Sequence, residues 1–166
     1  HPGSHPSVRC AALSQIGDAV NTGAELDACT LAGWSALAKR DARLALELFG
    51  YVTSQRPDDM AAWEGQRTAA VAADHLEPAA VACENLGRLL TSDKRAAASY
   101  EEAATHFAAL GAEYLGHVEH ALWEAMNRDA TRTSSFERLF RRLREKKDHE
   151  GMLLLTEKRL PHSQNR

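Results

Sequence analysis

The sequence predicts an all-α fold: about three to four antiparallel helical hairpins in series, with one further helix at the N-terminal end. Three observations predict it. Apolar residues recur with a period near 3.6 in one segment after another. Cap and turn residues fall between those segments at short intervals, and no stretch alternates as a strand does. Ala supplies much of the 44% hydrophobic content; it favours helix and lets helix backbones approach closely.

Ser7 caps a first helix that runs to Val20. Thr22-Gly23-Ala24-Glu25 reads as a capping box, with the Thr hydroxyl accepting from first-turn amides and Glu25 reaching back; its helix extends to about Lys39. Asp41 caps the next helix, to about Gln55, and Pro57 stops it. Asp58 and Asp59 cap a helix from Met60 to about Ala73. Pro78 occupies a first turn, where a missing N–H costs nothing, and that helix reaches about Leu90. Thr91-Ser92-Asp93 restarts the pattern in a longer helix with the stripe Tyr100, Ala104, Phe107, Leu110 and Tyr114. Gly116 reads as its break, before a helix from about His117 to Arg128. Ser134-Ser135-Phe136-Glu137 reads as a second capping box ahead of the stripe Phe136, Leu139, Phe140 and Leu143. Asp148 restarts a last helix through Met152, Leu153, Leu155 and Leu160. The expected organisation is a disordered or vector-derived lead at 1–6, one helical domain at 7–160 and a frayed polar tail at 161–166.

With a net charge of −3 and a pI near 6.3, the chain as a whole does not read as a polyanion binder. No apolar run approaches the roughly 20 residues that cross a membrane. Cys10, Cys29 and Cys83 are widely spaced, odd in number and without a CxxC, which argues against a disulfide framework or a zinc site and favours a reducing, cytoplasmic compartment. His1–Pro6 has turn composition and no signal-peptide pattern, and the chain reads as a piece of a longer protein.

Internal periodicity sharpens the fold. Gly33 is followed by Ala45 twelve residues on, Phe49 four later, Pro57 eight later and Trp63 six beyond that. The segment Arg40–Ala45 matches Asp74–Ala79 in kind, and Ala45 to Ala79 is 34 residues. Cys83 then takes the aromatic slot and Thr91 the proline slot. Gly116 and Ala121 repeat the turn-to-helix spacing, but Ala79 to Ala121 is 42 residues, and the pair from Ser134 to Leu160 keeps only the two-helix outline. This pattern resembles the tetratricopeptide repeat: well in the first hairpin, partly in the second, in outline afterwards. An irregular helical bundle or a solenoid with longer helices is the alternative.

The resemblance implies a right-handed superhelix in which the first helix of each hairpin lines a concave groove suited to an extended peptide or a partner helix. Asp27, Thr30, Trp34 and Leu37 would line it in the first hairpin, Glu64, Thr68 and Val71 in the second, with Arg141 and Arg144 continuing it. Ala45 is expected to face Gly33 at the first hairpin crossing. Trp34 follows Gly33 directly and so leaves the packing face of Cys29, Ala32 and Ala36; it faces either the groove or the helix at 7–20. The expected function is a protein-interaction scaffold for an unknown protein or peptide, with no membrane partner, and with self-association through the ends of the array as a second contact.

No motif for catalysis appears. GxGxxG, GxxxxGK[ST], HExxH and GxSxG are all absent, so no enzyme and no cofactor are expected. His117 and His120, three apart on one helix, could share a metal with His106, which would make the chain a helical metal-binding or enzymatic domain, but a solvated helix face outweighs that reading and no metal is expected. Cys29 and Cys83 read as small core residues, and the adjacent Glu101 and Glu102 splay to different helix faces. Arg138, Arg141, Arg142, Arg144, Lys146 and Lys147 surround the Phe136–Leu143 stripe. They form either the solvated side of an amphipathic helix, the favoured reading, or an anion- or nucleic-acid-binding face, which Glu137 and Glu145 weaken.

Overall fold

Short-range caps set several of the helix starts. The computed structural model describes residues 22–163, in eight α-helices with no strand among them: α1 (Thr22–Ala38), α2 (Ala42–Gln55), α3 (Met60–Ala72), α4 (Leu76–Leu89), α5 (Asp93–Leu110), α6 (Leu115–Arg128), α7 (Thr133–Glu145) and α8 (His149–Ser163), with a single 3-10 turn at Ala112–Tyr114. Asp41 accepts from the Leu44 amide at 3.1 Å, Asp59 from that of Ala62 at 3.0 Å and Asp148 from that of Gly151 at 2.8 Å. Each satisfies a first-turn donor that the helix cannot. The expected helix at 7–20 lies outside the described residues, as do 164–166 of the expected tail; Thr22, expected to cap α1, is itself its first helical residue.

The turns carry the repeat more clearly than the helices do. Arg40 and Asp74, 34 residues apart in the sequence, are both left-handed, with φ of 62° and 56°. In each turn the next amide reaches back five residues, Asp41 N to Ala36 O and His75 N to Ala70 O, both at 2.9 Å. That bond ties off a helix end in the manner of a Schellman cap. The α7–α8 turn repeats it, with Lys147 at φ 58° and Asp148 N to Leu143 O at 2.9 Å. The α5–α6 connection departs from the pattern: α5 ends at Gly111, whose φ of 127° suits glycine, and the 3-10 turn follows. The sequence pattern predicts that break at Gly116, which instead lies in the first turn of α6.

The helices gather into two compact units, His1–Ala79 and Ala80–Arg166. In the first, α2 packs against both α1 and α3. Phe49 on α2 is completely buried and seated between two glycines. A Cβ on Gly33 would come within 2.8 Å of its ring, and one on Gly65 within 2.3 Å. The residue that Gly33 faces is therefore Phe49 and not Ala45. Ala45 lies one turn away, in a cluster with Ala36, Phe49 and Ala69. The reason is reach: the glycine leaves a depth that a ring fills and a methyl does not. Since Ala45 is wholly buried, Ala45→Leu is expected to destabilise by about 1–3 kcal/mol through overpacking, and an unchanged thermal melt would refute the close packing at that point. Two polar contacts complete this unit. The buried Thr53 hydroxyl donates to Gln66 Oε1 at 2.7 Å, and the Trp63 indole donates to the Pro57 carbonyl at 2.8 Å.

The second unit repeats the glycine device, with Gly87 of α4 lying against the Tyr100 ring of α5. Its core gathers Phe107, Leu122, Met126, Leu139, Leu143 and Leu155 from four helices. Two expectations change here. Arg132, not a serine, is the N-cap of α7, and it makes no side-chain cap bond; the hydroxyls of Ser134 and Ser135 donate to Glu101 on α5. The polar tail expected from Pro161 is helical as far as Ser163.

Candidate functional site

On α1, Trp34 is 39% exposed and sets its ring edge-on to Phe49, with centroids 5.1 Å apart and planes at 69°. The indole thus has an edge-on contact with the buried ring while part of its surface meets solvent. Leu37 is half-buried against the Ala36–Phe49 cluster. Thr30 spends its hydroxyl on the Leu26 carbonyl at 3.0 Å, and exposed Asp27 pairs with Arg56 at 2.5 Å. On α3, Thr68 donates to the Glu64 carbonyl at 2.8 Å, Glu64 pairs with Arg67 at 3.4 Å, and Val71 is 53% exposed.

The polar members of the expected groove set are therefore largely engaged within their own helices or with a neighbour. Beside the exposed Asp27 and Thr68, the exposed apolar members are Trp34 and Val71. Two further apolar residues that sequence reasoning did not single out are exposed on these helices. Leu31 is 72% exposed and sits three residues before Trp34 and four after Asp27, on their side of α1. Met60 is exposed four residues before Glu64 on α3. The 3–4 spacing would have found both, had the outward face been read for apolar as well as polar residues.

In the second unit, Arg141 and Arg144 are exposed on α7, but much of the basic cluster around them is spent internally. Arg138 donates to the Glu101 carbonyl at 3.4 Å and to Thr105 at 3.1 Å. Lys146 reaches Glu119 at 2.8 Å, and Arg142 lies 4.0 Å from the same carboxylate. Such pairing makes an anion-binding face a weaker reading. Glu101 is a heavily bonded carboxylate of this unit. It accepts from Arg132 through Nε and Nη2, both at 3.1 Å, from Ser134 at 2.6 Å, and from Ser135. Burial alone would raise its pKa, but these donors overcome that and hold it at about 2.

The three histidines expected as a metal alternative do not appear as a ligand group among the described residues. The side chains whose donor atoms converge within 4.8 Å of one another are Cys83 from α4 and Glu102 and His106 from α5. His117 instead stacks on Phe107, with centroids 4.9 Å apart. Glu84, next to Cys83, has its pKa raised by burial, partly offset by the charges of His120 and His117. Between α6 and α8 lies an open depression of about 530 Å³ lined by Trp123, Asn127, Leu154, Glu157 and Lys158. Leu153 and Leu160 are also exposed on α8.

Cysteine usage differs from the sequence-based expectation. Cys29 is buried as expected, but it is disulfide-bonded, where the spacing and odd number of the cysteines argued against a disulfide framework. No described helix is long and apolar enough to cross a membrane.

No protein-family model matches the chain, and no curated protein does. Among solved structures the chain is similar to one titled MamA RS-1 ArsTM double mutant, at 16% identity over 98% of both chains and a TM-score of 0.47. A likeness of that size carries no functional inference. The hairpins and their turns stand on the packing described above.

Proposed function

We propose that the chain is a protein-interaction scaffold whose first unit takes an apolar segment of a peptide or partner protein against α1 and α3. The observation that carries this reading is Trp34. A Trp held edge-on by a buried Phe, yet over a third exposed, presents a pre-oriented apolar surface with an indole N–H. That combination costs little entropy on binding and is typical of interface anchors. Leu31, Val71 and Met60 add exposed apolar surface on the same two helices. Arg141 and Arg144 belong to the proposal only as exposed cations on α7.

Peptides selected from a random library on the wild-type chain are expected to bind Trp34→Ala on the order of 30-fold more weakly, the loss of about 2 kcal/mol at an anchor. The melting curve of the variant should shift little, because the Phe49 ring keeps its other neighbours. Equal binding by Trp34→Ala would refute the assignment. A collapse of the melting point would instead make Trp34 a packing residue, the alternative in which it rests on the segment at 7–20.

A further inference from the structure

We propose that Cys83, Glu102 and His106 form a binding site for a thiophilic divalent metal ion, with zinc the best fit. The inference is independent of the scaffold reading. It rests first on geometry. Glu102 and His106 are one helical turn apart on α5, so their side chains meet on one face. His106 Nε2 and Glu102 Oε1 are 3.6 Å apart. Tetrahedral zinc, with bonds of about 2.0–2.3 Å, places its ligands about 3.3–3.8 Å from one another, so these two atoms already have the spacing of one tetrahedral edge. Cys83 supplies the third donor from α4, and all three donor atoms fall within 4.8 Å of one another. The Ser99 hydroxyl of α5 donates to the Cys83 carbonyl at 2.8 Å, which fixes the register of the two helices at this point.

Donor chemistry narrows the ion. A thiolate and an imidazole disfavour magnesium and calcium, which take oxygen ligands, and suit zinc or a neighbouring transition ion. His106 Nε2 is buried and makes no hydrogen bond. A buried nitrogen of that kind is usually satisfied, and a metal ion would satisfy it, with Nδ1 carrying the ring proton. Cys83 is completely buried; binding would require loss of its thiol proton, so affinity should fall as pH drops. Three protein ligands leave a fourth position for water or an external ligand. The expectation of no metal came from His106, His117 and His120, two of which come from another helix and do not join this group.

Cobalt(II) serves as the probe, because a cobalt–thiolate bond gives a charge-transfer band that no other donor in the set produces. Titration of the full chain is expected to raise that band to a plateau at one cobalt per chain, and zinc should then bleach it. Cys83→Ser should abolish the band, and His106→Gln should shift the titration to weaker binding, with both variants checked for helix content by circular dichroism. If Cys83→Ser does not fold, His106→Gln and Glu102→Gln carry the test, since both positions are only half-buried and each change should weaken binding while leaving the helices in place. Absence of the band in the wild-type chain, its persistence in Cys83→Ser, or unchanged titrations in both His106→Gln and Glu102→Gln would overturn the site.

Discussion

Phe49→Ala is expected to cost about 3–5 kcal/mol of folding stability, at the upper end for a core truncation. The ring is wholly buried and lies against glycines on two other helices, so its loss opens a cavity bordered by backbone that cannot collapse to fill it. The complementary change tests the same point from the other side. Gly65→Ala would put a methyl 2.3 Å from the ring, a contact that must push Phe49 or α3 aside, and it should cost about 1–3 kcal/mol. The two effects are coupled by construction. In a Phe49→Leu background the smaller side chain leaves room, so Gly65→Ala should cost much less than in the wild type. Urea denaturation of the four proteins measures the interaction as a double-mutant cycle. Additive costs would mean that ring and glycine do not oppose each other.

That contact marks where sequence reasoning stops. Gly33 and Phe49 are both legible as repeat residues, because their spacing from Ala45, Pro57 and Trp63 is a local pattern. Their partnership is not, since a spacing names slots without saying which slot meets which. Gly65 carries a signal of its own: a glycine inside a helix costs stability relative to Ala and so points to a close approach. The caps divide in the same way. Asp41, Asp59 and Asp148 bond three residues along the chain, and a three-residue interaction is visible in sequence. Ser134 and Ser135 have the composition of caps, but a carboxylate on another helix, over 30 residues earlier in the sequence, outcompetes the local amides. Gly111 and Gly116 are equally plausible breaks by composition. Only the backbone decides, and Gly116 has nothing within 4 Å of its open side to demand a glycine. At the candidate binding face, the one-residue step past Gly33 takes Trp34 off the Cys29, Ala32 and Ala36 face, but whether it meets a groove or the segment at 7–20 does not follow from that spacing. The donor cluster depends on α4 meeting α5, which the spacing of Cys83 from Glu102 and His106 does not reveal.

Glu101 yields the second large expected effect. Its carboxylate holds the first turn of α7 to α5 through Arg132, Ser134 and Ser135. Removing it leaves a guanidinium and two hydroxyls without their shared acceptor in a partly buried place, and the loss of all these bonds together exceeds the worth of any single one. Glu101→Ala is therefore expected to cost about 2–4 kcal/mol at neutral pH. The pH dependence has a definite sign. The folded-state pKa, about 2, lies below the ordinary value of 4.5, so the unfolded chain binds the proton more readily. The stability from this group is fully present above the unfolded pKa and is lost as pH falls through the folded one. The full shift corresponds to about 3 kcal/mol, of which solvent screening at the partly open rim leaves about 1–2 kcal/mol. Asp129 also has a lowered pKa, because the bonds from Thr131 outweigh the opposing effect of burial, so acid will weaken the wild type for more than one reason. The difference between wild type and Glu101→Gln isolates the group: it should be flat from pH 7 to about 5 and narrow between about pH 4.5 and 2. A difference that stays constant down to pH 2 would show that Glu101 holds α7 by hydrogen bonds that do not depend on its charge.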